Sequence, residues 1–251
     1  MGFIGGNFGY MILKTIAPRT KTDQAAQEVD GNDLKLQQFF GNDIFDIIAN
    51  KIIIDFGCGD GNQAVEMAER SPTTNVIGLD IQMHRIEKGM RKAQERSIAE
   101  RCKFSTTTDE LADIIISKDA FEHFSSPLEI LEIMSHLLKP NGYVLASFGP
   151  TWYHPYGGHL FSVFPWSHLI FTEKAQILWR ADFKTDGATK FSEVDGGLNQ
   201  LTIGQFENIV QQSPFSIDWL ETMPIRGLSI LKSKFLREIG SSIVRCKLSL
   251  K

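Results

Sequence analysis

Apolar residues fall in two alternating patterns along this chain: short continuous runs, and longer stretches in which they recur every three or four positions. The alternation predicts strands and helices in turn. Ile52-Ile53-Ile54, three β-branched residues in a row, reads as a strand buried on both faces, the centre of a parallel sheet covered by helices on either side. Asn75 to Asp80, Cys102 to Ser105, Asp113 to Ser117 and Tyr143 to Phe148 read as further strands, with helices over Asn62 to Arg70, Met83 to Ala99 and Pro127 to Leu138. The Met83 to Ala99 helix sets Ile86, Met90 and Ala93 on one face against alternating charges. Upstream, Leu34 to Ala49 predicts a short helix, a turn at Gly41-Asn42-Asp43 and a second helix from about Asp43. Downstream come a helical run from Leu169 to Trp179, a charged loop from Phe183 to Gly197, a helix from Thr202 to Gln212, and alternating strands at Phe215 to Met223 and Ile243 to Leu250.

The first strand runs into Asp55-Phe56-Gly57-Cys58-Gly59-Asp60-Gly61. Glycines at 57, 59 and 61 let the backbone turn tightly and let a ligand lie against it, while the following helix points unpaired N–H groups at the same place. The dinucleotide fingerprint needs G-x-G-x-x-G; here the spacing is G-x-G-x-G, which disfavours a nicotinamide oxidoreductase. Asp80 ends the second strand about 19 residues past Gly61, where a carboxylate can accept both hydroxyls of a ribose.

Asp55-x-Gly57-x-Gly59-x-Gly61 followed by Asp80 resembles the motifs of the class I S-adenosylmethionine (SAM)-dependent methyltransferases. Asp113-Ile-Ile-Ile-Ser117, then Glu122-His123-Phe124 and Leu138-Lys139-Pro140-Asn141-Gly142, looks like the type 11 methyltransferase domain over roughly Asp43 to Phe148. The resemblance implies a Rossmann-like, doubly wound seven-stranded α/β sheet with the last strand antiparallel and helices on both faces. It also implies SAM as cofactor and S-adenosylhomocysteine (SAH) as product. The cofactor residues it points to are Asp55, Gly57, Cys58, Gly59, Gly61, Asp80, Ile81, Asp109, Ser117 and Lys118, with Asp109 the nearest match to an acid that contacts the adenine amino group. Asp119, Glu122 and His123 are similar to the metal-binding set of the ubiquinone-pathway O-methyltransferases. The favoured alternative is that Glu122-His123 only opens the loop after the fourth strand, with no metal.

Composition agrees with one α/β domain. The 251 residues are 42% hydrophobic and 22% charged, and a net charge of −4 argues against nucleic acid or an anionic membrane as partner, leaving a small-molecule substrate. Cys58, Cys102 and Cys246 form no C-x-x-C pair, so neither a disulfide framework nor a zinc site is expected, and Cys58 reads as a small buried filler. The glycine-rich start makes a poor signal peptide, and no run reaches the roughly 18 apolar residues of a membrane span, so a cytoplasmic location is expected. Residues 1–33 read as an N-terminal extension or lid whose structure is not legible, and 34–251 as the methyltransferase domain.

After Phe148 comes an insertion, at about 149–200, crowded with aromatics and with three of the six histidines, His154, His159 and His168. It follows a strand whose C-terminal end faces the cofactor, so a substrate site belongs there. A methyltransferase must align an acceptor, take its proton and exclude water, and histidine is the usual base near neutral pH. His154, His159 and His123 are the catalytic candidates, with His168 structural. The expected reaction is O-methylation of a hydroxylated metabolite or saccharide, the alternatives being N-methylation or a non-catalytic SAM-binding subunit.

Overall fold

Seven strands form one sheet in the order β3-β2-β1-β4-β5-β7-β6 in the computed structural model, which describes residues 2–17, 36–194, 197–228, 230, 233 and 236–251. β1 (Ile52–Phe56) lies between β2 (Asn75–Leu79) and β4 (Ala112–Lys118), parallel to both, with Ile54 opposite Ile77 and Ile115. β3 (Cys102–Ser105) and β5 (Leu138–Phe148) extend the sheet in parallel. β7 (Ser241–Leu250) inserts antiparallel between β5 and β6 (Phe215–Pro224). The expected seven-stranded sheet with an antiparallel last strand is therefore the one observed.

Among the described residues the α-helices are α1 (Gly6–Ile16), α2 (Leu36–Phe40), α3 (Ile44–Ile47), α4 (Asn62–Arg70), α5 (Met83–Glu95), α6 (Pro127–His136), α7 (Ser167–Ile170), α8 (Glu173–Arg180), α9 (Ile203–Gln212) and α10 (Arg237–Gly240). The isoleucine run explains their distribution. Successive side chains of a strand point to opposite faces: Ile53 packs with Ile44 of α3, Met67 of α4 and Ile86 of α5, whereas Ile54 packs with Met134 of α6 and Phe206 of α9. Both are fully buried, each contributing about 1.5–3 kcal/mol of transfer free energy.

Several boundaries differ from the sequence reading. α5 stops at Glu95 rather than Ala99, because Ser97 takes φ 56° and turns Ile98 inward, its N–H donating to the Ala93 carbonyl. α6 stops at His136, and β5 begins at Leu138 rather than Tyr143, because Leu138 pairs with Ala112 ahead of a bulge. The run from Leu169 to Trp179 is two helices, since Thr172 is extended and its side chain caps α8 by accepting from the Ala175 N–H.

Within residues 1–33, α1 is a helix docked on the insertion: Leu13 and Ala17 pack with Phe171, Ala175 and Trp179, and the Trp179 indole donates to the Ala17 carbonyl at 3.1 Å. The rest of that expected extension, 18–33, and Leu34 lie outside the described residues. The segment expected as an insertion, 149–200, has a core of Trp152, Phe161, Ile177, Phe191, Val194 and Leu198, and the Trp152 N–H donates to the Leu201 carbonyl, tying its entry to its exit. Among the described residues no helix is long and apolar enough to cross a membrane.

Candidate functional site

The C-terminal ends of β1, β2, β4 and β5 point the same way, and the residues with chemistry collect there. At the end of β1 the chain leaves the sheet through Gly57, Gly59 and Gly61, all with positive φ (80°, 53° and 78°), a region that suits glycine. The Gly57 and Cys58 N–H groups both donate to the Leu79 carbonyl, so β2 holds the turn. A Cβ on Gly61 would lie 2.5 Å from the Phe104 ring and 2.8 Å from the Gly89 Cα, which makes this glycine a packing requirement as well. Asp80 closes the turn from the other side: Oδ2 accepts the Gly59 N–H at 3.0 Å and Oδ1 the Gln82 N–H at 2.8 Å.

Asp55 is buried beneath the turn. Gln63 donates to its Oδ1 at 2.9 Å, Oδ2 has no partner, and burial, only partly opposed by that hydrogen bond and by Lys118, pushes the carboxyl up to about 7. Burial also pushes the Cys58 thiol above its usual range, which makes it a poor thiolate and suits the role of filler. Ser117 donates its hydroxyl to the Phe56 carbonyl at 3.0 Å, tying β4 to β1. Lys118 pairs with Asp119 at 3.1 Å and sits 4.9 Å over the Phe39 ring of α2. Ile81 and Asp109 are exposed beyond β2 and β3.

The loop after β4 carries Glu122 and His123. Glu122 is buried: Oε1 accepts the Gly149 N–H at 3.2 Å, Oε2 has no partner, and burial, reinforced by Asp119, pushes the carboxyl up to about 8. His123 Nδ1 lies 2.8 Å from the Gly197 carbonyl, which can only accept, so Nδ1 carries a proton and, in the neutral ring, Nε2 is left as an acceptor.

Of the insertion's histidines, His159 is brought to His123, with ring centroids 5.5 Å apart. Burial, with the neighbouring His123 adding to it, pushes its pKa down to about 3, so it stays neutral, and its Nε2 has no partner. His154 is engaged elsewhere: Nδ1 accepts the Tyr156 N–H, Nε2 faces the Ser242 hydroxyl at 3.4 Å, and burial pushes its pKa down to about 4. His168 bridges the Trp152 carbonyl at 2.7 Å and the Ser162 hydroxyl at 3.1 Å, the structural role expected of it. Sequence reasoning had weighed Glu122 as a metal ligand or as the opening of the loop after the fourth strand, and had not picked out Asn199 or Gly197. Among the described residues no three of His, Cys, Asp and Glu gather as a metal cluster: Asp119, Glu122 and His123 are turned to Lys118, Gly149 and Gly197 respectively.

Comparison with known proteins bears on the domain and its fold. Residues 47–151 match the family model of a methyltransferase domain. A ubiquinone biosynthesis O-methyltransferase of Aliivibrio fischeri is 30% identical over 105 residues, 39% of this chain and 43% of that protein. A ribosomal protein L11 methyltransferase of Pasteurella multocida is 29% identical over 96 residues, 38% of this chain and 32% of that protein. The chain thus spans less than half the length of these curated relatives. Among solved structures, a SAM-dependent methyltransferase from Aquifex aeolicus superposes with a TM-score of 0.53 at 11% identity, covering 91% of this chain and 98% of that one. The mitomycin 7-O-methyltransferase gives 0.54 at 14%, covering 96% and 60%. Residues 47–151 thus match a methyltransferase domain, and the seven-stranded sheet that holds them has the fold of solved SAM-dependent methyltransferases.

Proposed function

We propose that this protein transfers a methyl group from SAM to a hydroxyl of a small molecule. The observation that carries the reading is the Gly57–Gly61 turn closed by Asp80. Each Asp80 oxygen accepts one backbone hydrogen bond and keeps a free lone pair, the acceptor pattern a ribose diol needs. Gly57, Gly59 and Gly61 hold the turn at positive φ, and the buried Oδ2 of Asp55, without a hydrogen-bond partner, lies beneath it. These residues fit SAM, with Cys58, Ile81, Asp109, Ser117 and Lys118 lining or bracing the same end of the sheet. When bound, the cofactor supplies an electrophilic methyl on a sulfonium.

The chain's own work is to align the acceptor and take its proton. A neutral imidazole is the form that accepts a proton. His123 presents Nε2 as a lone pair, and His159, kept neutral by burial, stands beside it. His154, turned toward Tyr156 and Ser242, supports the insertion. An oxygen acceptor is favoured because the O-methyltransferase relatives match the same segment; amine acceptors are the second arm of the test.

The test is calorimetric titration of SAM, SAH and NAD into the purified chain, followed by transfer of a labelled methyl group to panels of phenols, sugars and amines. SAM and SAH binding with labelled phenol or sugar product is expected. NAD binding in place of SAM would overturn the cofactor assignment, and label on amines alone would overturn the choice of acceptor.

A further inference from the structure

We propose that Asn199 and Gly197, at the exit of the insertion, are positioning residues that fix the tautomer of His123 and the loop that carries it. The proposal rests on reading His123 as the proton acceptor.

The loop after β4 is irregular, so the carbonyls of Phe121, Glu122 and Phe124 need partners from outside the sheet. Asn199 supplies all three. Its backbone N–H donates to the Glu122 carbonyl at 3.0 Å, and its side-chain amide donates to the Phe121 carbonyl at 2.6 Å and the Phe124 carbonyl at 2.9 Å. Its own Oδ1 accepts the Leu201 N–H at 3.0 Å, which leaves the side chain one orientation. Two residues earlier, the Gly197 carbonyl accepts from His123 Nδ1. Gly197 has φ 70°, and a Cβ there would lie 2.9 Å from the His123 backbone oxygen, so the approach that places this carbonyl requires glycine.

With Gly197 held there, the Nδ1–H tautomer gains a hydrogen bond and the Nε2–H tautomer would set a lone pair against a carbonyl oxygen. In the neutral ring it is therefore Nε2 that carries the lone pair a base needs. The Trp152 N–H donates to the Leu201 carbonyl, so the 197–201 segment also closes the base of the insertion. Whatever the insertion binds is thus linked through this segment to the orientation of His123.

A clamp that only braced the loop would not select a ring nitrogen, which makes the imidazole spectrum the discriminating readout. In the full chain with ¹⁵N-labelled histidine, long-range ¹H–¹⁵N spectra report which nitrogen carries the proton, with His123 assigned by its loss in His123→Gln and exposed His84 and His136 as references. A pyrrole-like Nδ1 and pyridine-like Nε2 are expected for His123. In Asn199→Ala and Gly197→Ala the two shifts are expected to move toward each other while those of His84 and His136 stay. A pyridine-like Nδ1 in the unaltered chain overturns the proposal without any variant, and so does an unchanged His123 spectrum in a folded Asn199→Ala. If that variant does not fold, Asn199→Asp, which keeps the size and Oδ1 but has no amide donors, takes its place. SAH titration of the same samples separates the two readings: loss of SAH binding in the unaltered chain removes the methyltransferase reading and leaves the tautomer result intact.

Discussion

Gly59 donates its backbone N–H to the Asp80 carboxylate at 3.0 Å, so the acid that follows β2 holds the turn that follows β1. In Asp80→Ala the turn loses that anchor and, on the function proposed above, the cofactor loses its diol acceptor. SAM and SAH affinity are expected to fall at least tenfold, about 1.4 kcal/mol, in calorimetry. Because Asp80 is at the rim and the β1–β2 ladder remains, the melting temperature is expected to change little. Unchanged SAH affinity in Asp80→Ala would show that the ribose is held elsewhere.

Gly61 combines φ 78° with contact to the Phe104 ring and the Gly89 backbone. An added Cβ therefore meets both backbone strain, of order 1–3 kcal/mol, and overpacking. Gly61→Ala is expected to lower the thermal midpoint clearly. Adding Phe104→Ala relieves only the ring contact, so the double variant should not return to the unaltered stability.

Two sets of buried groups give opposite pH dependences. Asp55 and Glu122 are raised to about 7 and about 8 from ordinary carboxylate values. The folded chain keeps these protons where the unfolded chain has lost them, so their contribution is full below about pH 4 and is lost as pH rises toward 8. His154 and His159 are lowered to about 4 and about 3, so their contribution is full above about pH 6.5 and is lost as pH falls. Between about pH 4 and 6.5 the two trends oppose each other. Above about 6.5 only the carboxyls act, and stability is expected to fall from pH 6.5 to 8. Glu122→Gln should flatten that slope in chemical denaturation series; an equally steep slope would mean that Glu122 is ionised in the folded chain.

How far the sequence spoke depended on how local the physics was. Ile52-Ile53-Ile54 predicted a doubly buried strand because burial on both faces demands apolar residues on both, and the glycine spacing marked the turn because positive φ demands glycine. The G-x-G-x-G turn and Asp80 were thus legible as a unit. The pairing of His123 with His159 was not, since it joins a β4 loop to the insertion across 36 positions. Asn199 gave no signal at all: a lone asparagine in a polar stretch shows its worth only when three carbonyls are seen to need it. Gly197 is the exception that could have been noticed, a glycine in a loop whose φ turns out positive. α1 was illegible for a related reason, as its apolar stripe is covered by α8, some 160 residues later.

That distant packing yields a prediction about the insertion. Leu13 is fully buried among Phe171, Ala175 and Trp179, and residues 3–4 add backbone hydrogen bonds to Ile170 and Thr172. Leu13→Ala removes buried methyl groups without touching the sheet, a change that costs about 2–5 kcal/mol in a core of this kind. The cost should fall on the insertion and not on the cofactor side, because the cluster holding Leu13 contains no residue of β1, β2 or the glycine turn. Hydrogen exchange is expected to quicken over 164–183 and to stay slow in β1, β4 and β5, with SAH affinity unchanged. If exchange quickened in β1 and β4 as strongly, α1 would be stabilising the whole chain, and the insertion could not be treated as a unit that α1 selectively holds.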